Sequence, residues 1–184
     1  MSKVRRRVVL VSGAPGAGKS ALAGPLAAEL GFALLAKDRI KETLAEVLGD
    51  GSGELAWSTR LGAASMELMW ALAAEAPAAV LEANFWPGDE RHERHLRKLD
   101  ANTVEVHCAC PLAVAMRRYS ERRVSRHAVH AEAHRAVSPE AWAKWARPLG
   151  IGELVSVDTS APVDIARLAS EVRAKLDAFT QAAR

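Results

Sequence analysis

This 184-residue sequence predicts an α/β fold, a parallel β-sheet covered by helices on both faces, and three observations predict it. Short apolar, β-branched runs alternate with segments of helical spacing along the whole chain, the pattern of repeated strand–helix–strand units. Glycine and proline punctuate the alternation, at Gly31, Gly49–Gly53 and Pro77, where helices are expected to stop. Between the first apolar run and the first helical one stands Gly13-Ala14-Pro15-Gly16-Ala17-Gly18-Lys19-Ser20, a G-x-x-x-x-G-K-S stretch. That strand–loop–helix setting is the context the pattern requires. A composition 49% hydrophobic and 26% charged is an ordinary globular balance, and the length suits one domain over 1–184.

Taken in order, Val8–Val11 is the first strand, and Arg5-Arg6-Arg7 precede it. A five-residue strand spans roughly 16 Å, so these arginines sit at the sheet edge opposite the glycine-rich loop, on a solvated face. The first helix runs from about Gly18 to Leu30, with Pro25 inside it removing one backbone hydrogen bond and Gly31 ending it. Phe32–Ala36 is the second strand. Ile40, Leu44, Val47 and Leu48 mark a helix that ends at Gly49-Asp50-Gly51-Ser52-Gly53. A longer helix covers about 54–76, with Leu55, Gly62, Met66, Met69 and Ala73 in one stripe. Ala78–Ala83 is the third strand, followed by a charged helix, Asp89–Leu99. Thr103–Cys108 is the fourth strand, and Pro111 opens a helix that turns strongly basic after Met116. Ser138-Pro139-Glu140 starts another helix, with proline at its first position. Leu154–Val157 is the fifth strand. Ala161 to about Ala182 closes the chain, burying Ile165, Leu168, Ala169, Val172, Leu176 and Phe179.

In such folds ligands bind outside the C-terminal ends of the strands. That rule gathers Gly13–Ser20, Lys37–Lys41, Glu82–Trp86, Cys108–Pro111 and Asp158–Ser160 on the rim of one site. Gly13, Gly16 and Gly18 let successive N–H groups converge on an anion, and the helix that follows adds its unpaired amides. Lys19 supplies a mobile positive charge for the terminal phosphates, and Ser20 is placed to ligate Mg²⁺. The stretch Gly13, Ala14, Pro15, Gly16, Ala17, Gly18, Lys19, Ser20 and Ala21 therefore predicts binding of a nucleoside triphosphate, ATP with Mg²⁺.

Asp38 follows the second strand, where a carboxylate can accept the proton of an attacking hydroxyl. Its type and position also suit a cap for the helix beginning near Arg39, and the two roles are compatible. Glu82 ends the third strand and can hold a water of the Mg²⁺ shell or meet a structural partner; Asn84 can hydrogen-bond substrate. Arg118, Arg122 and Arg126 fall at i, i+4 and i+8 on one helix face, widened by Arg117, Arg123 and His127. Such a cluster suits either a polyphosphate or a solvated face with Glu121 and Glu132 as counterions. His130 and His134, like His92 and His95, have no further ligand at metal spacing and are not read as a metal site. Among the five tryptophans Trp86 stands on the rim, as a candidate substrate contact.

The net charge of +3 does not suggest a nucleic-acid binder. Cys108 and Cys110 form neither a disulfide framework nor a zinc spacing, which points to reduced thiols and a cytoplasmic location. No stretch approaches membrane-spanning length, and the basic-then-apolar residues 3–11 are too short for a secretory leader.

With these residues in place, the chain resembles the zeta-toxin and chloramphenicol-phosphotransferase-like group of P-loop kinases, small ATP-dependent kinases with an AAA-type domain. The likeness rests on the P-loop, on Asp38 with Lys41 three residues later, and on Val80–Phe85. It extends to Arg118/Arg122/Arg126-His127 with His130, and to Val157-Asp158-Thr159. The resemblance implies a five-stranded parallel sheet with a helical, arginine-rich lid over about 117–135. It implies transfer of the ATP γ-phosphate to a hydroxyl of a small molecule, a metabolite or an antibiotic. Asp38 would be the base, Arg122 and its neighbours would close on the phosphates, and Thr159 would lie near the adenine. Asp38, Lys41, Asn84 and Trp86 would meet the acceptor, and Ser20 and Glu82 the metal. Where the group commonly has arginine this chain has Lys41, which cannot grip an acceptor with two parallel hydrogen bonds. Two competing functions use the same residues: a kinase of polynucleotide 5′-hydroxyls or nucleotide sugars, and an ATP-binding regulator without phosphotransfer.

Overall fold

The computed structural model describes residues 5–122, 126–130 and 137–182. Five strands, β1 (Arg6–Ser12), β2 (Ala33–Ala36), β3 (Ala78–Glu82), β4 (Ala101–Ala109) and β5 (Glu153–Asp158), pair in parallel in the order β2-β3-β1-β4-β5. Seven helices flank them: α1 (Lys19–Leu30), α2 (Lys37–Leu48), α3 (Leu55–Glu75), α4 (Glu90–Leu99), α5 (Leu112–Arg122), α6 (Pro139–Trp145) and α7 (Ile165–Ala182). The five-stranded parallel sheet is the one the sequence predicts.

Alternation along β1 divides the core in two, because successive strand side chains point to opposite faces. Val9 and Val11 face α1 and α7, where Leu22, Leu26, Leu168, Val172 and Leu176 close over them. Val8 and Leu10 face α3 and α4, against Met69, Trp70, Leu96 and Leu99. Gly31 ends α1 in the left-handed conformation, donating to Ala27 O and Ala28 O, and Pro25 is accommodated inside that helix. Ser138 caps α6, its hydroxyl accepting from Ala141 N–H, with Pro139 at the first turn.

Three helical expectations are corrected. The buried face of α3 carries Ser58, Leu61, Ser65, Met69, Trp70 and Ala73; it keeps Met69 and Ala73 of the expected stripe, while Gly62 and Met66 are half-buried and Leu55 is exposed. Helix α7 begins at Ile165 rather than Ala161: the proline at 162 has no N–H to join a helix, and Asp164 accepts from Arg167 N–H at the start. Helix α5 ends at Arg122 among the described residues, and Arg126 lies in a bend, so Arg118, Arg122 and Arg126 do not share one helix face. Arg123, Glu132 and His134 lie outside the described residues.

The back edge bears out the expectation for the first arginines. Arg5 pairs with Asp100, and the Arg7 guanidinium lies over the Phe32 ring at 5.0 Å. Both Arg5 and Arg7 are exposed at the end of the sheet away from the P-loop.

Glu105, fully buried on β4, organises the connection into β5. Its carboxylate accepts from Leu149 N–H (2.7 Å), Gly150 N–H (3.1 Å) and the Ser12 hydroxyl (2.5 Å). His107, two residues on, approaches Ser12 Oγ at 3.0 Å and Ala146 O at 3.2 Å. These bonds satisfy groups whose burial would otherwise be costly, and they tie the loop after α6 to the last residue before the P-loop. Gly152 completes the connection at φ +72°, where a Cβ would stand 2.2 Å from Thr103 O. A Gly152→Ala substitution is therefore expected to destabilise the fold by roughly 1–3 kcal/mol, read as a lower urea midpoint with unchanged slope.

Candidate active site

The loop from Gly13 to Gly18 is shaped by what lies behind it. Gly13 has φ +132°, and a Cβ there would stand 2.9 Å from Cys108 O at the end of β4. Gly16 has φ +84°, and a Cβ would sit 2.0 Å from Ala115 O of α5. Glycine is required at both positions because backbone conformation and close backbone neighbours act together. The loop turns through an Ala17 N–H to Ala14 O bond and delivers Gly18 to the N-terminus of α1.

Lys19 is buried, and its ammonium donates to Gly13 O (2.9 Å) and Ala14 O (3.0 Å). Burial lowers its pKa, opposed by the negative charge of Glu82 and Asp38 nearby. Beside it the Ser20 hydroxyl donates to Glu82 Oε1 at 3.2 Å. Burial raises the Glu82 pKa, and Lys19 works against that rise. The hydroxyl and the carboxylate are hard oxygen donors at one edge of the phosphate-binding loop, and they fit a hard divalent cation such as Mg²⁺ completed by phosphate oxygens. Among the described residues no three His, Cys, Asp or Glu side chains gather into a protein-only metal site.

Asp38 lies in the first turn of α2, whose cap residue is Ala36 and has no side-chain bond. The capping role expected of Asp38 is thus corrected: the helix starts two residues earlier than the sequence suggested. Its carboxylate instead accepts from Lys37 Nζ at 3.1 Å and from Arg126 at 2.9 Å. Burial alone would raise its pKa, but Lys37, His130 and Arg126 outweigh it and hold the group below the usual aspartate range.

Two cavities meet at this carboxylate. One, of about 420 Å³, runs from the P-loop over Lys19, Ser20 and Glu82 to Asp38, Arg122 and Arg126. The other, of about 440 Å³, opens between α3, the turn after β3 and α6. Pro15, Asp38, Asn84, Tyr119 and Arg126 line both. The second is walled by aromatic side chains: Trp86 and Trp145 are in contact with centroids 4.3 Å apart, and Trp70 is stacked on His95 at 5.2 Å. A third, shallower hollow lies behind Gly18, lined by Ala21, Arg118, Thr159 and Ile165.

Most of the predicted site residues converge on these cavities; two do not behave as expected. Lys41 is 1% exposed, and its ammonium donates to Ser58 Oγ at 2.8 Å, behind α2 rather than in either cavity. The Ser58 hydroxyl donates in turn to Val129 O at 2.6 Å, so Lys41 braces the segment that carries Arg126. Arg118 donates to Thr159 O (2.9 Å) and Ser160 O (3.0 Å), which directs it to the hollow behind Gly18 and away from the cavity above Lys19. Arg122 does line that cavity. Thr159 is held by Ala109 O through both its N–H and its hydroxyl, beside Gly18. His130 is buried against Glu42 at 2.8 Å and lies outside any helix. Cys108 and Cys110 are free thiols; burial pushes Cys108 up to about 12.

Sequence reasoning placed Lys37 on the rim without giving it a role, and missed Tyr119 and Trp145 as site residues. Lys37 carried a signal, since it adjoins Asp38 at a strand end. Tyr119 and Trp145 carried none, because only the packing of α5 and α6 against the rim brings them there.

A family model described as an AAA domain matches residues 8–149. No curated protein sequence matches the chain. Among solved structures, a protein of Chloroflexus aurantiacus J-10-fl provisionally named a kinase is 26% identical. It superposes with a TM-score of 0.76 over 93% of this chain and 98% of its own. The APS kinase of Mycobacterium tuberculosis, solved with AMPPNP and APS, is 20% identical with a TM-score of 0.60, covering 95% of this chain and 99% of that one. A gluconokinase of Sinorhizobium meliloti 1021 is 18% identical with a TM-score of 0.60, covering 96% and 99%. The fold is thus one used by small P-loop kinases. No helix among the described residues is long and apolar enough to cross a membrane.

Removing Arg126 takes away one of the positive charges that hold Asp38 ionised. In Arg126→Ala the Asp38 carboxyl is expected to titrate at higher pH than in wild type, measured by carbon-13 carboxyl NMR. An unchanged midpoint would mean that the ion pair does not form in solution.

Proposed function

Because the chain belongs to the AAA-domain family matched over residues 8–149, we propose that it is an ATP-dependent kinase of a hydroxyl-bearing small molecule. The observation that carries the reading is the meeting of two cavities at Asp38, one backed by the P-loop and Lys19, the other walled by aromatic side chains. The whole chain would act as one kinase domain, with 117–135 as its lid.

In this reading the P-loop amides and Lys19 bind the ATP phosphates in the first cavity, and the nucleoside lies toward Thr159 and the hollow behind Gly18. Ser20 and Glu82 would hold Mg²⁺, which supplies charge neutralisation on the phosphates. The acceptor hydroxyl sits beside Asp38, and its oxygen attacks the γ-phosphorus as the bond to the β,γ-bridging oxygen breaks. The hydroxyl proton goes to Asp38, and ADP departs. An aspartate kept below its usual pKa is ionised throughout the neutral range, so it is ready to accept that proton and to orient the hydroxyl. Arg122 and Arg126 line the first cavity, Arg126 also facing the acceptor cavity, where negative charge would spread over the transferring group. Lys41 takes no direct part; it supports the backbone behind Arg126.

The test is label transfer from γ-labelled ATP across neutral and charged metabolites, antibiotics, nucleotide sugars and 5′-hydroxyl oligonucleotides. Lys19→Ala is expected to reduce transfer by about 10²–10³-fold. Asp38→Asn is expected to lower kcat by about 10²–10⁴-fold with ATP binding retained. ATP binding with no transfer to any acceptor would leave a nucleotide-gated regulator as the better account, and equal turnover by Asp38→Asn would remove Asp38 as the base.

A further inference from the structure

We propose that the cavity between α3, the turn after β3 and α6 takes an uncharged, polyhydroxylated ring as the phosphoryl acceptor: a sugar, a cyclitol or a glycoside. The inference rests on the kinase reading and names the substrate class which that reading leaves open.

Charge is the first ground. The described lining holds three permanent cations, Lys37, Arg91 and Arg126, and three carboxylates, Asp38, Glu67 and Asp89. Each already has a neighbour of opposite charge or an imidazole beside it. Lys37 and Arg126 meet Asp38 at 3.1 and 2.9 Å, Arg91 meets Asp89 at 2.7 Å, and Glu67 meets His95 at 3.3 Å. The Asp89 carboxyl is held at about 2, first by the hydrogen bonds from the Arg91 side chain, so this pair persists through the neutral range. Burial lowers the His92 pKa, which keeps that ring neutral as well. An acceptor bearing a carboxylate, sulfate or phosphate would bring a further anion beside Asp38 or Asp89 and compete with it for its cations. A neutral acceptor disturbs none of these pairs.

The shape of the walls is the second ground. Trp86 and Trp145 meet at 45° and form a corner, with the Lys144 ammonium 5.6 Å from the Trp86 ring centroid. Trp70 already has His95 lying flat on it, at an interplanar angle of 2°. Among the described residues there is no parallel-sided aromatic slot of the kind that clasps a flat base. A saturated ring fits such a corner, because its C–H faces are apolar while its equator carries hydroxyls. Each hydroxyl both donates and accepts, and the cavity offers a matching mixture: the exposed Asn84 amide, the Asp89 carboxylate and the Tyr119 hydroxyl. The hydroxyl nearest Asp38 would receive the phosphoryl group, forming a phosphate monoester and ADP, with its proton passing to Asp38.

The experiment has two readouts on the full-length protein. Binding of myo-inositol, methyl β-glucoside, D-glucose, glucuronate, glucose 6-phosphate and adenosine is followed by tryptophan fluorescence, and label transfer from γ-labelled ATP is followed separately. At least one neutral ring is expected to bind 10-fold or more tightly than its anionic counterpart and than adenosine, and to be labelled. Trp86→Leu is expected to weaken that binding about 10-fold while the affinity for a fluorescent ATP analogue is unchanged. Trp145→Phe, which keeps an aromatic wall, is expected to lose less, and both variants are checked for folding by thermal melting. Glucuronate, glucose 6-phosphate or adenosine binding as well as the neutral rings would overturn the proposal, as would the absence of binding by every neutral ring. Label transfer confined to anionic acceptors would overturn the substrate class and keep the kinase reading. Binding of a neutral ring that is never labelled would overturn the kinase reading and keep the ligand class of the cavity.

Discussion

A buried ammonium between carbonyls and carboxylates is the interaction on which the site depends. Lys19 is held by the carbonyls of Gly13 and Ala14, with Glu82 and Asp38 near enough to oppose the cost of burying its charge. Three strands must end at the right height for this to happen. β1 delivers the loop, β3 delivers Glu82, and β2 passes directly into α2 and Asp38. The registers Val11 to Glu82 and Ala36 to Glu82 fix those ends against one another. Hydrogen-bonded pairing of a parallel sheet thus sets the electrostatics of the site, and a slip in register would separate the charges.

The carboxylates divide into two kinds by their neighbours. Burial raises the pKa of Glu82, which shares a hydrogen bond with Ser20 beside Lys19. Asp38, with Lys37 and Arg126 at hydrogen-bond distance, is held down instead. The same functional group therefore acquires two electrical characters in one site. The segment bearing Arg126 is not free to wander from Asp38. Val129 is buried in a small cluster with Ala45 and Leu61, Ser58 bonds its carbonyl, and His130 meets Glu42.

Much of this was legible along the chain, and the exceptions share a cause. Strand and helix order, the P-loop, the rim position of Asp38 and Asn84, and the cap at Ser138 are local in origin: periodicity, glycine conformation and turn chemistry act within a few residues. The acceptor contact that the family resemblance implied for Lys41 does not fit its placement, because a motif position does not say what packs against it; Ser58 of α3 takes up its ammonium. Arg126 was placed on a helix face by counting in fours, an assumption that fails once the helix has ended. Tyr119 and Trp145 belong to the site only because α5 and α6 fold over the rim, and nothing near them in sequence marks that.

The sequence by itself determined a parallel α/β sheet and a phosphate-binding loop at one end of it, because backbone geometry and hydrophobic period are short-range properties written into consecutive residues. Only the tertiary structure decided which cations are matched with which carboxylates, that Glu105 is buried and satisfied by Ser12 and the amides of residues 149 and 150, and that a tryptophan corner faces Asp38. Charge energies and cavity walls depend on distance in space and on shielding from water, and neither quantity exists until remote segments have packed together.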